Sequence, residues 1–141
     1  MLDFSVSWLP LLVVALVNFI LSWLYYSPAA PWFKAWQVGV GADPTKREMS
    51  EEDKKAMPRL FGGALVSTFL FPLGLQILVH SLKVTDFVSG ALVGVVVWVA
   101  FSVTHSLNTQ FEGRKPAVLV INNGLNLVTY AAFAGLFAVW H

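Results

Sequence analysis

One apolar segment of this chain carries polar side chains at helical spacing, and these are the residues that could bind a ligand. Ordered at i, i+3, i+4 and i+7, they are Ser102, His105, Ser106 and Thr109. This spacing places all four on one face of a helix. Hydroxyl and imidazole groups can hold an ion or a small polar molecule, and a histidine adds a group that titrates near neutral pH.

Further polar residues are expected at a comparable depth in two other apolar segments. They are Asn122, Asn126 and Thr129 near the end of the chain, and Asn18 with Ser22 near its beginning. Because a polar side chain that faces lipid costs free energy, we expect these stripes to face one another or a water-filled cavity. The predicted binding residues are Asn18, Ser22, Ser102, His105, Asn108, Thr109, Asn122 and Asn126.

Two interpretations of this polar cluster stay open. Amides and hydroxyls commonly join membrane helices through hydrogen bonds worth about 0.6 kcal/mol each, and packing alone then explains them. A binding pocket is the alternative, because the number of polar side chains at one depth exceeds what packing needs. In the turn that follows, Glu112 and Arg114 either pair as a gate at the mouth of the pocket or only help to form the turn.

Catalytic and metal sites are not predicted. The chain has no cysteine, and Glu112 is the only acidic residue near the polar cluster, so no nucleophile and base or paired carboxylates can be identified. Its three histidines do not form a ligand set either: we place His80 and His141 at one membrane face and His105 near the other. We therefore expect no enzyme, no metal and no cofactor.

The amino-acid composition predicts that membrane-spanning helices position the polar cluster. Hydrophobic residues make up 57% of the chain and charged residues 12%, about half the charged fraction of a soluble domain. The net charge of +1 gives no reason to expect a nucleic-acid partner. The prediction is an all-α integral membrane protein, a four-helix bundle forming one domain over residues 1–141. Its spans are expected at about 6–26, 59–80, 86–109 and 116–140.

Shorter elements are expected between the first two spans, in residues 27–58. A proline followed by aromatic residues at 31–36 predicts a short helix lying in the membrane interface, and the charged segment 50–57 predicts a short solvated helix. Within the third span, Gly90 and Gly94 have the spacing that lets two helices approach closely. If the protein is a homo-oligomer, faces such as this one are expected to join its copies.

The distribution of basic residues predicts the orientation. Of nine Lys and Arg residues, six lie between the first two spans or at the start of the second, and two lie in the last connection. Only Lys83 falls on the opposite side. By the positive-inside rule, both termini are external and connections 27–58 and 110–116 are cytoplasmic, with the protein in the cell (inner) membrane.

Several motifs resemble a known family. They are the Leu-Tyr-Tyr-Ser-Pro motif at 24–28 with Trp32 and Trp36, the charged segment 49–55, and His105, Asn108, Phe111, Glu112 and Arg114 leading to Asn122. In their order and spacing, the chain is similar to short four-span bacterial membrane proteins catalogued as domain of unknown function seventeen sixty-one. The resemblance implies a four-helix membrane fold and no particular activity.

Three classes of function follow from the sequence. The first is a membrane protein that binds or passes a small polar solute or ion at the polar cluster, as a homo-oligomer. The second is an accessory or scaffold subunit of a larger membrane complex, which contacts its partners through the aromatic and charged segments. An intramembrane enzyme ranks last because it lacks a recognisable catalytic constellation. The lipid bilayer is a partner in every case.

Overall fold

The computed structural model describes residues 1–43, 45 and 50–141, and these form five helices and no strand. The helices are α1 (Trp8–Tyr25), α2 (Phe33–Gly39), α3 (Glu51–Ser81), α4 (Phe87–Phe111) and α5 (Pro116–Val139). The all-helical fold expected from the sequence is therefore confirmed.

Four of these helices, α1, α3, α4 and α5, are long and apolar enough to cross a membrane. Many of their large apolar side chains are exposed, which is costly in water but natural in lipid. The protein is a multi-pass membrane protein. Because α1 and α4 run in the opposite direction to α3 and α5, the fold has a termini end and a loop end. At the loop end, α2 and the turn between α4 and α5 come together, where the Lys115 amide donates to the Gly39 carbonyl.

The last helix, α5, is the centre of the fold and contacts all four of the others. Its span is also the most buried, at 39% against 17–22% for the other three. Its closest neighbour is α4: a Cβ added to Gly90 would lie 2.6 Å from the Ala134 carbonyl oxygen, and one added to Gly94 would lie 2.8 Å from the Cα of Ala131. Both glycines are buried by α5 of the same chain. The expectation that this face joins copies of the protein is therefore wrong, because the face is already covered.

The charged segment and the second span, expected as two helices, form the single helix α3. Pro58 lies inside it and removes one backbone hydrogen bond, but the carbonyl that is freed lies near the exposed, charged end of the helix, where water can bind it. Exposure changes along α3. From residue 54 to residue 67 the described side chains are nearly all exposed, whereas packing against other helices begins at Thr68 and is complete at Pro72.

The largest cluster of buried apolar side chains lies in the termini half of the fold. It joins three of the spans, and its members are Leu11, Val14, Leu75, Val79, Phe133, Ala134, Phe137 and Ala138. At this end the backbone amide of Asp3 also donates to Ser81 Oγ at 2.7 Å, so the chain's first residues are held against the end of α3. The loop half, where α3 leaves its neighbours, is less completely filled, and the polar residues lie in this half.

Candidate functional site

A pocket of about 280 Å³ lies on the seam between α4 and α5. Phe101, Ser102 and His105 line it from α4, and Asn126 and Tyr130 line it from α5. Helical spacing explains both sets, because residues three or four apart share a face. The pocket therefore brings together three of the residues that the sequence assigned to a binding cluster, Ser102, His105 and Asn126.

The polar side chains of this pocket have no protein partners. Within the described parts of the chain, no residue forms a hydrogen bond with the side chain of Ser102, His105 or Asn126. Ser102 is only 7% exposed, and Asn126 is half-buried. His105 lies at the open side of the pocket, about 9 Å along α4 from its end at Phe111. An unpaired polar group inside a span costs free energy, so this arrangement favours a bound ligand or water as the missing partner.

Two other members of the predicted cluster already have partners. The Tyr26 hydroxyl donates to Asn122 Oδ1 at 2.9 Å, which joins the end of α1 to α5. The Thr109 hydroxyl donates to the His105 carbonyl at 2.8 Å, within α4. Both side chains therefore make packing hydrogen bonds, and neither residue lines the pocket.

The remaining three members stand apart from the pocket. Asn18 and Ser22 are half-buried on the face of α1 that also carries the buried Leu11 and Val14. Asn108 is exposed one turn from the end of α4, at the level where lipid headgroups are expected. None of the three lines the pocket.

An asparagine outside the predicted cluster joins α4 to α5 on a different face. Asn123 Nδ2 donates to Ser106 Oγ at 2.8 Å, and Trp98 Nε1 donates to the Asn123 carbonyl at 3.0 Å. A second cavity of about 310 Å³ lies here. The sequence contained a signal for this contact. Consecutive residues of a helix point about 100° apart, so the side chains of Asn122 and Asn123 must contact two different segments of the fold.

Aromatic side chains fix the position of α2 relative to α5. Trp32 Nε1 donates to the Tyr25 carbonyl at 2.9 Å, and the Tyr25 hydroxyl donates to the Ile121 carbonyl at 2.9 Å. The Tyr26 and Trp36 rings are also in contact, with centroids 5.1 Å apart. These contacts bring the conspicuous Leu-Tyr-Tyr-Ser-Pro motif and its tryptophans against α5, next to Asn122.

The predicted gate residues form an ion pair. Arg114 Nε lies 3.0 Å from Glu112 Oε2, and both side chains are about half exposed. The pair belongs to the turn beyond the end of α4, and neither residue lines the pocket. Its geometry is that of a surface ion pair, which contributes little free energy.

The three histidines lie in two different parts of the fold, as expected from the sequence. The His80 and His141 rings lie 6.2 Å apart at the termini end, and His105 lies in the pocket. Across the described residues, no group of three or more His, Cys, Asp or Glu side chains is arranged to hold a metal ion.

Comparison with known proteins agrees with this architecture. The family model described as a protein of unknown function (DUF1761) matches residues 9–138, nearly the whole chain. The chain belongs to this family. The matched region includes all four spans except Trp8 and Val139 at their outer ends, and every residue that lines the pocket. No curated protein and no solved structure shows significant similarity to the chain. Membership therefore identifies the family, and a function must be inferred from the pocket itself.

Proposed function

We propose that this family member is a non-enzymatic membrane protein that binds a small ligand through a polar group in the pocket between α4 and α5. The observation that supports the proposal is the set of unpaired side chains, Ser102, His105 and Asn126, which meet at one cavity. If these residues only joined helices, each would bond to a neighbouring segment, as Asn122 does with Tyr26 and Asn123 does with Ser106. A ligand or ion held here would supply the missing partners.

The test compares two asparagines of the same helix. Protein is released for native mass spectrometry from lipid discs cut directly out of its own membrane. We expect a reproducible small adduct in the unmodified protein and in Asn123→Leu, and its loss in Asn126→Leu and Ser102→Ala. If the adduct survives both pocket substitutions, the pocket does not bind it, and the proposed function is refuted.

A second candidate function is an accessory subunit of a larger membrane complex, and the first half of α3 supports it. Gly62 and Gly63 lie there, and a Cβ added to either glycine would meet no heavy atom within 4 Å. The apolar side chains around them are exposed. In an accessory subunit, another protein or a second copy of this chain would replace lipid on this surface. The same mass spectra distinguish the candidates, because an accessory subunit would appear in a larger assembly and without a small adduct.

The orientation belongs to the proposal as well. With both termini outside the cell, the connection 27–58, which holds five of the nine Lys and Arg residues, and the turn 110–116 lie in the cytoplasm of a bacterial cell. An amine-reactive label that cannot cross the inner membrane should then modify Lys83 and leave Lys54 unmodified. Both lysines are exposed, so the opposite result would reverse the orientation.

A further inference from the structure

A larger cavity of about 490 Å³ lies directly beside the candidate pocket, between α3 and α4. Its walls are apolar, with Leu70, Gly74 and Leu78 on α3 and Val97 on α4. Phe101 and Tyr130 line this cavity and the polar pocket alike. The two cavities therefore adjoin at these two side chains. Together they are called the groove, whose lining is apolar in the larger cavity and polar in the smaller one.

This groove opens sideways. Helix α3 packs mainly on α1 and α5 and only slightly on α4, so the seam between α3 and α4 is not closed. Leu70 and Phe101, at the edges of the groove, are 56% and 64% exposed. Because both side chains lie within spans, the medium beyond them is lipid. A ligand that is dissolved in the bilayer can therefore enter directly, without passing through water.

The polar section indicates the head of such a ligand. Its polar side chains, those of Ser102, His105, Asn126 and Tyr130, can all donate a hydrogen bond, and no acid, lysine or arginine among the described residues lines it. A phosphate head would remain without a fixed cation about 9 Å from the end of the span, which is costly. Uncharged oxygen acceptors, such as carbonyl groups, fit these donors better.

The junction of the two sections indicates the shape of the head. The Phe71 and Tyr130 rings stack with centroids 4.4 Å apart, and Phe101 lies at the same junction. Aromatic walls of this kind favour a flat ring, which packs against their faces. Beyond the junction, the apolar wall of α3 from Leu70 to Leu78 is about 12 Å long, and a hydrocarbon tail can lie along it.

We propose that the ligand is a membrane-dissolved quinone, with its carbonyl-bearing ring in the polar pocket and its hydrocarbon tail in the apolar section. This inference rests on the proposed function, because it names the ligand class of the same pocket. It concerns binding alone and involves no electron transfer.

The experiment uses the purified protein in phosphatidylcholine nanodiscs. A quinone with an alkyl tail long enough to cover the apolar section is titrated as a mole fraction of the lipid, and the same ring without the tail is titrated in parallel. Binding is measured by the rise in the unfolding midpoint, since a ligand that binds only the folded state stabilises it. Palmitate serves as the tailed compound without a ring.

Two glycines of α3 provide a matched pair of variants. At Gly74, which lines the groove, and at Gly63, which does not, an added Cβ meets no heavy atom within 4 Å. A larger side chain at either position therefore starts in open space, and the unfolding midpoint of each ligand-free variant measures whether phenylalanine is tolerated. We expect Gly74→Phe to weaken binding of the tailed quinone about tenfold and to leave binding of the tailless ring unchanged. Gly63→Phe should change the binding of neither compound. Asn126→Leu should weaken binding of both quinones about tenfold.

The contrary outcomes separate the inference from the proposed function. If no quinone raises the midpoint, if Gly74→Phe has no effect on the tailed quinone, or if palmitate produces the same Asn126-dependent shift, the quinone assignment is wrong. The pocket then still binds something if the native adduct is lost in Asn126→Leu. If that adduct is retained too, the proposed function fails together with the inference.

Discussion

The substitution of two asparagines in α5 by leucine tests whether the pocket is a binding site or only a packing contact. Asn122 and Asn126 are one helical turn apart and both half-buried, so the chemical change and the depth are closely matched. They differ in their partners. Asn122 accepts a hydrogen bond from Tyr26, whereas the side chain of Asn126 has no partner among the described residues. Loss of the amide should therefore have opposite effects on stability.

The expected magnitudes follow from the bonds that are lost. Asn122→Leu removes one interhelical hydrogen bond, worth about 0.6 kcal/mol on average and at most about 1.7 kcal/mol in membrane proteins. The folding equilibrium should therefore shift about threefold toward the unfolded state. Asn126→Leu removes no hydrogen bond and replaces an unpaired amide with an apolar group, so we expect no loss of stability and a gain of up to about 1 kcal/mol.

Equilibrium unfolding in mixed micelles measures both variants on one scale. The protein must be stripped of bound ligand first, because a ligand lost from Asn126→Leu would conceal the gain in stability. If Asn126→Leu is destabilised as much as Asn122→Leu, the Asn126 amide makes a packing hydrogen bond in the membrane. The pocket would then need no ligand to satisfy its polar side chains.

Three further substitutions test the remaining features. Gly94→Ala should destabilise the protein by about 1–3 kcal/mol, because the added Cβ would lie within 2.8 Å of α5. Gly63→Ala, the control, should be neutral or stabilising. The unfolding midpoints of the two variants are compared, and equal effects would contradict the close contact between α4 and α5. Asp86 caps α4 by accepting a hydrogen bond from the Ser89 amide at 2.9 Å, and hydrogen bonds from the Ser89 hydroxyl and amide lower the pKa of Asp86 below its ordinary value. The contribution of Asp86 to stability is therefore present above that ordinary pKa and is lost as the pH falls through the lower folded-state pKa. Asp86→Ala should thus reduce the loss of thermal stability in acid, and an unchanged acid profile would exclude the cap as its source. Glu112→Gln should change the free energy of unfolding by less than about 1 kcal/mol and leave ligand binding intact, because its ion pair with Arg114 is half exposed; loss of binding would instead support a gate.

Much of the fold could be predicted from the sequence because lipid imposes a simple rule. A long apolar helix is the only element that satisfies its own backbone in the membrane, so hydropathy identifies α1, α4 and α5 closely. The charge pattern did not predict the start of α3 correctly. The acidic and basic residues after Ser50 predicted a separate short helix. A charged helix in water can continue into the membrane without a break, however, and Pro58 removes only one of its backbone hydrogen bonds.

The candidate site could be predicted only in part, because spacing gives the face of one helix and not the helix that it meets. Ser102, His105 and Asn126 were expected to converge, and the structure places them around one pocket. Asn122 belongs to the same stripe of α5 as Asn126, yet it meets Tyr26. The difference depends on the end of α1, where Tyr25 and Tyr26 bond to Ile121 and Asn122, one helical turn short of Asn126.

The pocket exists because α3 does not cover the seam between α4 and α5 in the loop half of the fold. Pro72 is buried at the point where α3 joins its neighbours, Thr68 and Phe69 are partly buried, and the described side chains from residue 54 to residue 67 are nearly all exposed. Lys54 and Lys55 hold that end at the membrane surface, since burying them in lipid costs free energy. A movement of this half of α3 would change the width of the groove at Leu70, where the exposed half meets the cavity. A ligand that contacts both Phe101 on α4 and Leu70 on α3 would draw the two helices together, so binding should reduce hydrogen exchange in residues 60–70 more than in α5, which is already packed on every other helix.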